Sequence, residues 1–186
     1  MAQLVFTAIC SLDGYVADEA GGFAWAAPDA EVHAHVNDLE RGVGTFLLGR
    51  GMYEVLRYWD TDDPEADREP VMRDYRQVWQ AADKVVYSRT LTEPVGARTQ
   101  LRRTFDPGEV ATLKAEASRA ISVGGPTLAA QAFSAGLVDE VCLYRHPVLV
   151  GGGTAALPAG GRVDLALVES CTFGGGVVFT RHRVLH

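Results

Sequence analysis

The sequence predicts an α/β fold, a mixed and mostly parallel β-sheet in a three-layer α/β/α arrangement that ends in an antiparallel hairpin. Three observations predict it. Short apolar runs rich in β-formers recur along the chain, each bounded by Gly, Asp, Ser or Pro. Through residue 135 these runs alternate with segments whose apolar residues fall at helical spacing, as expected of a sheet covered by helices. The last two runs flank Gly174-Gly175-Gly176, the composition of a tight turn between antiparallel strands.

The first strand is expected at residues 4–9, and its apolar run ends at Ser11-Leu12-Asp13. Val32, Val36 and Leu39 then share one helical face, and a strand follows at 45–48. The polar stretch 61–69 reads as a surface loop, before a helix patterned by Val71, Tyr75 and Val78 and a strand at 84–87. Val110, Leu113 and Ala117 mark the helix with the clearest start: Asp106 can cap it, Pro107 suits its first position, and Glu109 stands three residues after the cap. Strands are expected at 120–123, 140–144 and 147–150, and the hairpin strands at 164–173 and 177–184.

Composition excludes several functions. With 47% apolar and 22% charged residues, the 186 residues suit one globular domain, residues 1–186, with a substantial core. Seventeen basic against twenty-four acidic residues give a net charge of −7, which repels a polyanion; only Arg102-Arg103 and residues 181–183 are locally basic. Nucleic acid is therefore not an expected partner, and an anionic ligand must be held by a few placed donors. Cys10, Cys142 and Cys171 are odd in number and widely spaced, as buried thiols of a cytoplasmic protein would be. The N-terminal run is too short for a signal peptide or a membrane span, and no membrane association is expected.

The most informative motif is Gly124-Gly125, which follows a short strand and precedes Pro126, well placed to open a helix. Glycines admit a ligand close to the backbone, and helix-start N–H groups attract phosphate, although a plain strand-to-helix turn has the same composition. The run from Gly151 to Ala156 formally fits a dinucleotide fingerprint, but Leu157-Pro158 cannot continue the helix such a site needs. Segments 9–16, 47–54 and 86–91 each end an expected strand, where ligands of open α/β sheets gather. Arg50 and Arg89 could each fork onto a phosphate, with Ser88 and Thr90 as hydroxyl donors, whereas singly each arginine is more often a solvated charge. No metal is expected: His33 and His35 face apart, and His146, His182 and His186 lack ligand spacing. The chain also lacks the zinc-deaminase, G-x-S-x-G, P-loop and C-x-x-C signatures.

In order, the chain carries S-L-D-G from Ser11, L-x-G-R-x-x-Y-E from Leu47, S-R-T from Ser88, V-G-G-x-x-L-A from Val123 and H-P-V-x-x-G-G-G from His146. This series resembles the dihydrofolate reductase-like superfamily, nearest to its branch akin to the reductase domain of riboflavin biosynthesis, from about Leu4 to about Arg183. The resemblance implies a reductase that binds NADPH across the strand ends and transfers hydride to a small pterin-like or ribosylaminopyrimidine-like substrate. It implies Val123, Gly124, Gly125, Thr127 and Leu128 around the pyrophosphate, and Arg50 with Gly49, Gly51 and Met52 at the phosphates. Many relatives have Thr where Met52 stands, so one hydroxyl contact is lost. Ser88, Arg89 and Thr90 would receive the 2′-phosphate, and Ala8, Leu12 and Gly14 would border the nicotinamide. On the substrate side it implies Asp13 and Trp25 as contacts and Asp29 as the catalytic acid, with Glu31 as rival and helix capping as the bland alternative for Asp29. A homodimer through the C-terminal strands is also implied. The other class of function compatible with these residues is a catalytically inactive NADP(H)-binding or sensory module.

Overall fold

A computed structural model describes residues 1–94 and 96–185; His186, part of the metal argument above, lies outside them. The strands are β1 (Leu4–Ser11), β2 (Tyr15–Ala17), β3 (Val43–Gly49), β4 (Asp83–Tyr87), β5 (Thr99–Arg102), β6 (Ala120–Gly124), β7 (Glu140–His146), β8 (Thr154–Ala155), β9 (Asp164–Thr172) and β10 (Val178–Leu185). The α-helices are α1 (Ala30–Glu40), α2 (Arg50–Leu56), α3 (Pro70–Ala81), α4 (Pro107–Glu116) and α5 (Pro126–Ser134).

Eight strands form one sheet in the order β5-β4-β3-β6-β1-β7-β10-β9. The six from β5 to β7 run parallel, and β10 lies antiparallel to both β7 and β9. The alternation of the pleat sorts side chains to two faces. Phe6, Leu47, Val123 and Leu143 point to the side of Val110 on α4 and Leu128 and Ala129 on α5. Their sequence neighbours Phe46 and Leu48 point oppositely, to Tyr53 of α2 and Tyr75 and Trp79 of α3. Val32 of α1 meets Cys142, Tyr144 and Phe179 on that second face. Phe6, Leu47 and Val123 are fully buried, each contributing about 1.5–3 kcal/mol. The three-layer, mostly parallel sheet with its terminal hairpin is thus the architecture that the sequence predicts.

Helix starts follow the chemistry of their caps. The Asp106 carboxylate accepts from the Gly108 and Glu109 N–H groups, with Pro107 at the first helical position. The Asp29 carboxylate accepts from the Val32 N–H at 2.9 Å and so caps α1. Gly125 adopts φ +90°, a left-handed conformation that favours glycine, immediately before Pro126 opens α5.

Several elements differ from expectation. Residues 147–150 are not a strand. Pro147 has no N–H for a ladder, and the chain turns instead, with the Val148 N–H bonded to the His146 carbonyl and the Leu12 N–H to the Val148 carbonyl. β5 is a short edge strand without an apolar run, and β2 and β8, which pair with each other, are too short for a periodic signal. Within 61–69 a 3-10 turn, Pro64–Asp67, buries Ala66 completely, while its polar neighbours stay at the surface. Ala117 is the C-terminal cap of α4, just beyond the helix. Among the described residues, no helix is long and apolar enough to cross a membrane.

Candidate active site

The parallel strands bring the motif segments to one edge of the sheet. Leu48 lies opposite Gly124, Gly49 opposite Tyr87, and Ser11 opposite His146. Segments far apart in sequence therefore sit side by side at the carboxyl ends of β4, β3, β6, β1 and β7, the edge where open α/β sheets bind ligands.

On the β4–β3–β6 side the backbone packs closely. A Cβ on Gly124 would lie 2.8 Å from Leu48 Cδ2 and 3.2 Å from Met52 Cγ, so glycine lets the β6–α5 turn settle against the start of α2. Val123 and Leu128 are buried in the core and hold the turn from behind, whereas Thr127 is exposed. Leu128 Cβ also lies 3.8 Å from where a Cβ on Gly49 would be, while Gly51 has open space around it.

The Ser88–Leu91 turn carries the cations. Ser88 Oγ accepts from the Thr90 and Leu91 N–H groups and is buried, so its hydroxyl shapes the turn. Arg50 Nη1 donates to Thr90 Oγ1 at 2.7 Å and its Nε to Glu54 at 2.7 Å, which joins two expected site residues. Arg89 is exposed, and no hydrogen bond or ion pair of its own is found among the described residues. Sequence reasoning missed Arg103, whose Nη1 donates to the Ser88 and Leu91 carbonyls at 3.1 and 2.6 Å and clasps the turn from below. The only signal for it was local basicity at Arg102-Arg103.

The β1–β7 side is bonded differently. Asp13 accepts from the Val150 and Gly151 N–H groups, fastening the loop after β7 to the end of β1. These bonds, led by that from the Ser11 hydroxyl, hold its carboxyl below the usual carboxylate range. The Gly14 carbonyl, at φ +90°, accepts from the Ala156 N–H, and Leu12 remains 60% exposed at the rim beside the half-buried Ala8 strand. The glycine run at 151–153 has a packing cause: a Cβ on Gly153 would collide with the Ala17 carbonyl and the Asp18 backbone.

Trp25 sits on a 3-10 turn, Ala24–Ala26, with its ring edge-on to His146, centroids 6.4 Å apart. Asp29 is exposed and spends one oxygen on the α1 cap, so the apolar surroundings that an acid role requires are not around it. Glu31 accepts from the Gly174 N–H at 2.9 Å and ties α1 to the β9–β10 turn. The residue not assigned to the site above is His146, considered there as a metal ligand and as the start of a motif. It ends β7, is 7% exposed, and its Nε2 is buried without a partner among the described residues, as is Trp25 Nε1. Burial pushes the imidazole below its ordinary pKa, and the nearby Asp29 carboxylate opposes this. No group of residues with metal-holding geometry occurs among the described residues.

Two hollows lie away from this edge, an open surface depression beside Phe105, Pro107, Ala130 and Gln131, and a recess of about 220 Å³ between α1 and the opposite end of the sheet, lined by Glu40, Glu140 and Arg181.

Comparison with known proteins agrees with this fold. Residues 2–179 match the family model of the RibD C-terminal domain. A Bacillus subtilis protein, YyaP, itself uncharacterized, is 26% identical over 95% of this chain and 92% of its own length. A protein of Shewanella sp. PV-4 named for riboflavin biosynthesis superposes over all of both chains with a TM-score of 0.77 at 22% identity. The diaminohydroxyphosphoribosylaminopyrimidine deaminase/5-amino-6-(5-phosphoribosylamino)uracil reductase of Thermotoga maritima matches with a TM-score of 0.67 at 14% identity, over 99% of this chain and 57% of that one. The chain thus spans a little over half of that two-activity protein. It belongs to the RibD C-terminal domain family, whose reductases share this fold.

Proposed function

We propose that this family member is an NADPH-dependent reductase of the pyrimidine-reductase type, acting in the cytoplasm on a small heterocycle. The observation that carries the reading is Arg89, an exposed arginine without a partner among the described residues, on a turn clasped by Arg103 and touched by Arg50. A free guanidinium on a prebuilt turn is the arrangement a terminal phosphate needs, because no internal ion pair must be broken first.

The residues present fit the cofactor. Gly124 packs the turn tightly on Leu48 and Met52, and Gly125, at φ +90°, leads into the start of α5, where helix-start N–H groups would meet a pyrophosphate, with Thr127 exposed beside them. Arg50 and Thr90 would flank the phosphates, Arg89 would take the 2′-phosphate, and Leu12, Ala8 and Gly14 would border the nicotinamide. Bound there, the nicotinamide would supply a hydride to a C=N or C=O carbon. The protein would position the substrate ring against that carbon and exclude water from it. Asp29 is retained as a candidate group on the substrate side, acting near Trp25, and Asp13 as the residue that keeps the neighbouring loop in place.

Arg89→Ala is the test, with NADPH and NADH titrated by fluorescence. NADPH affinity is expected to fall roughly 10- to 100-fold, the worth of one charge-assisted contact, with NADH little changed. No binding of either nucleotide to the wild type, or an unaltered NADPH preference in the variant, would remove the assignment.

The engagement of Asp29 as a helix cap favours a second reading, an NADP(H)-binding module without catalysis. It is distinguished by NADPH binding without oxidation across pterins, aminopyrimidines and carbonyl compounds. The edge strand β9 leaves Leu165, Leu167 and Val168 at least 40% exposed, which supports a homodimer through the C-terminal strands.

A further inference from the structure

At the end of the sheet opposite the motif segments, a recess of about 220 Å³ opens between the C-terminal end of α1 and the amino ends of β1, β6 and β7. Its floor breaks the pattern of the core. Across the sheet, Phe46, Ser122, Val5 and Glu140 stand in one register row on the face that α1 covers. An apolar side chain is expected between Phe46 and Val5. Ser122 stands there instead, 5% exposed, and its hydroxyl has no partner among the described residues. Glu40 of α1 accepts from the Tyr75 hydroxyl at one oxygen, 2.6 Å away, and its other oxygen has no partner among the described residues. Both residues line the recess, which reaches solvent past the exposed Gln3 and Asp38, so a ligand enters without parting any packed side chains.

The charges of the recess favour a cation. Arg181 spends Nε and Nη2 on Glu140, both at 2.8 Å, so that pair neutralises itself. Arg41 at the rim is turned to Asp74 and reaches Asp38 only at 3.6 Å. What remains is the carboxyl groups of Glu40 and Asp38, which repel an anion. The Gln3 amide nitrogen donates to Glu140 at 3.4 Å, which leaves the amide oxygen as a further acceptor. We propose that the recess binds a small primary alkylammonium, its three N–H groups shared among the Glu40 carboxyl, the Ser122 hydroxyl and the Gln3 amide oxygen, and its chain laid on Val5, Leu39 and Val43. Its volume equals that of roughly seven waters, room for an ammonium group with a chain of about four carbons.

Protonation decides whether the counter-ion is present. Burial raises the Glu40 carboxyl to about 7, so a cation must displace its proton below that pH and finds it ionised above. Around it stand Asp38, Arg41 and His33 on α1, Asp74 and Tyr75 on α3, Glu140 and Tyr144 on β7, Arg181 on β10, and Arg119, which donates to the Arg41 carbonyl. Asp74 is paired with Arg41 and Glu140 with Arg181. Burial raises both tyrosines and lowers His33, which keeps all three uncharged. Glu40 is the group among these that titrates near neutrality.

The test titrates the full-length protein, without nucleotide and at constant ionic strength, with n-butylammonium, n-butyltrimethylammonium and n-butanol by calorimetry. The second probe keeps the chain and the charge but has no N–H group; the third keeps the chain without the charge. At pH 8 n-butylammonium is expected to bind about tenfold or more tighter than either. Its affinity should rise about tenfold from pH 6 to pH 8 as the Glu40 carboxyl ionises. Ethylammonium should bind about fifteenfold weaker, at roughly fourfold per methylene lost. Glu40→Gln should abolish the pH dependence and weaken binding at pH 8 about tenfold, and Ser122→Ala should weaken it about fivefold. If a variant does not fold, the three-probe comparison and the pH dependence of the wild type decide alone. Equal affinity for the three probes, affinity independent of pH, or no binding of n-butylammonium overturns the proposal. None of these measurements involves NADPH, so this proposal and the reductase reading fail separately.

Discussion

The two halves of the strand-end edge are held in opposite ways. On the β4–β3–β6 side, a hydroxyl-shaped turn and arginines lie at the surface, and Arg89 has no partner among the described residues. On the β1–β7 side the loops are laced to one another by Asp13, Glu31 and close backbone packing, while the unsatisfied groups are buried. The difference teaches that a flexible, charged ligand can be met by exposed donors on short turns, whereas a flat neutral ring must be met by buried groups that only the packed fold supplies.

The largest expected effect tests how rigid the second half is. Gly153→Ala and Gly125→Ala both place a side chain at positive φ, but at Gly153 the Cβ meets backbone and at Gly125 its nearest contact is Met52 Cβ at 3.5 Å. Denaturant unfolding should show a loss of about 3 kcal/mol for Gly153→Ala and about 1 kcal/mol for Gly125→Ala. Equal losses would erase the proposed contrast in backbone constraint.

A smaller effect concerns the docking of α1, which carries Asp29 at one end and Glu40 at the other. Burial raises the Glu40 carboxyl to about 7, although the Tyr75 hydroxyl donates to it at 2.6 Å and opposes the shift. Because the folded pKa lies above the unfolded value, this group's stabilisation is complete below about pH 4.5 and is lost as pH rises through about 7. Glu40→Gln should remove about 2 kcal/mol of the wild type's decline between pH 5 and pH 8, read by unfolding at both. Parallel pH curves for the two proteins would show that α1 is not held this way.

The smallest effect sharpens the first half. Arg50 is shared between Thr90 and Glu54, and an exposed helical ion pair is worth only a few tenths of a kcal/mol. Glu54→Gln should free the guanidinium and tighten NADPH binding roughly twofold by fluorescence titration. Weaker binding would mean that Glu54 orients Arg50 and does not compete for it.

Legibility in the sequence followed the same division. The run from Gly124 to Leu128 and the segments around Arg50 and Ser88 were readable because each is local: a strand end, a turn residue, a helix start. Pro147 shows the limit of that approach, since an apolar run suggested a strand where a missing N–H ended the ladder. His146 shows it more sharply. Its motif was visible and its surroundings were not, because its neighbour Trp25 lies 121 residues earlier and no local pattern encodes their contact.

By itself the sequence determined the α/β class, the main core strands and the helices patterned by their apolar faces, and the motif segments at the strand ends, because periodicity, caps and turn chemistry act over a few residues. Tertiary structure alone decided which of those segments touch, that Arg103 clasps the Ser88 turn, and that two ring nitrogens at the end of β7 have no partner among the described residues. Burial and hydrogen-bond satisfaction are properties of the packed whole, and they exist only once distant strands lie side by side.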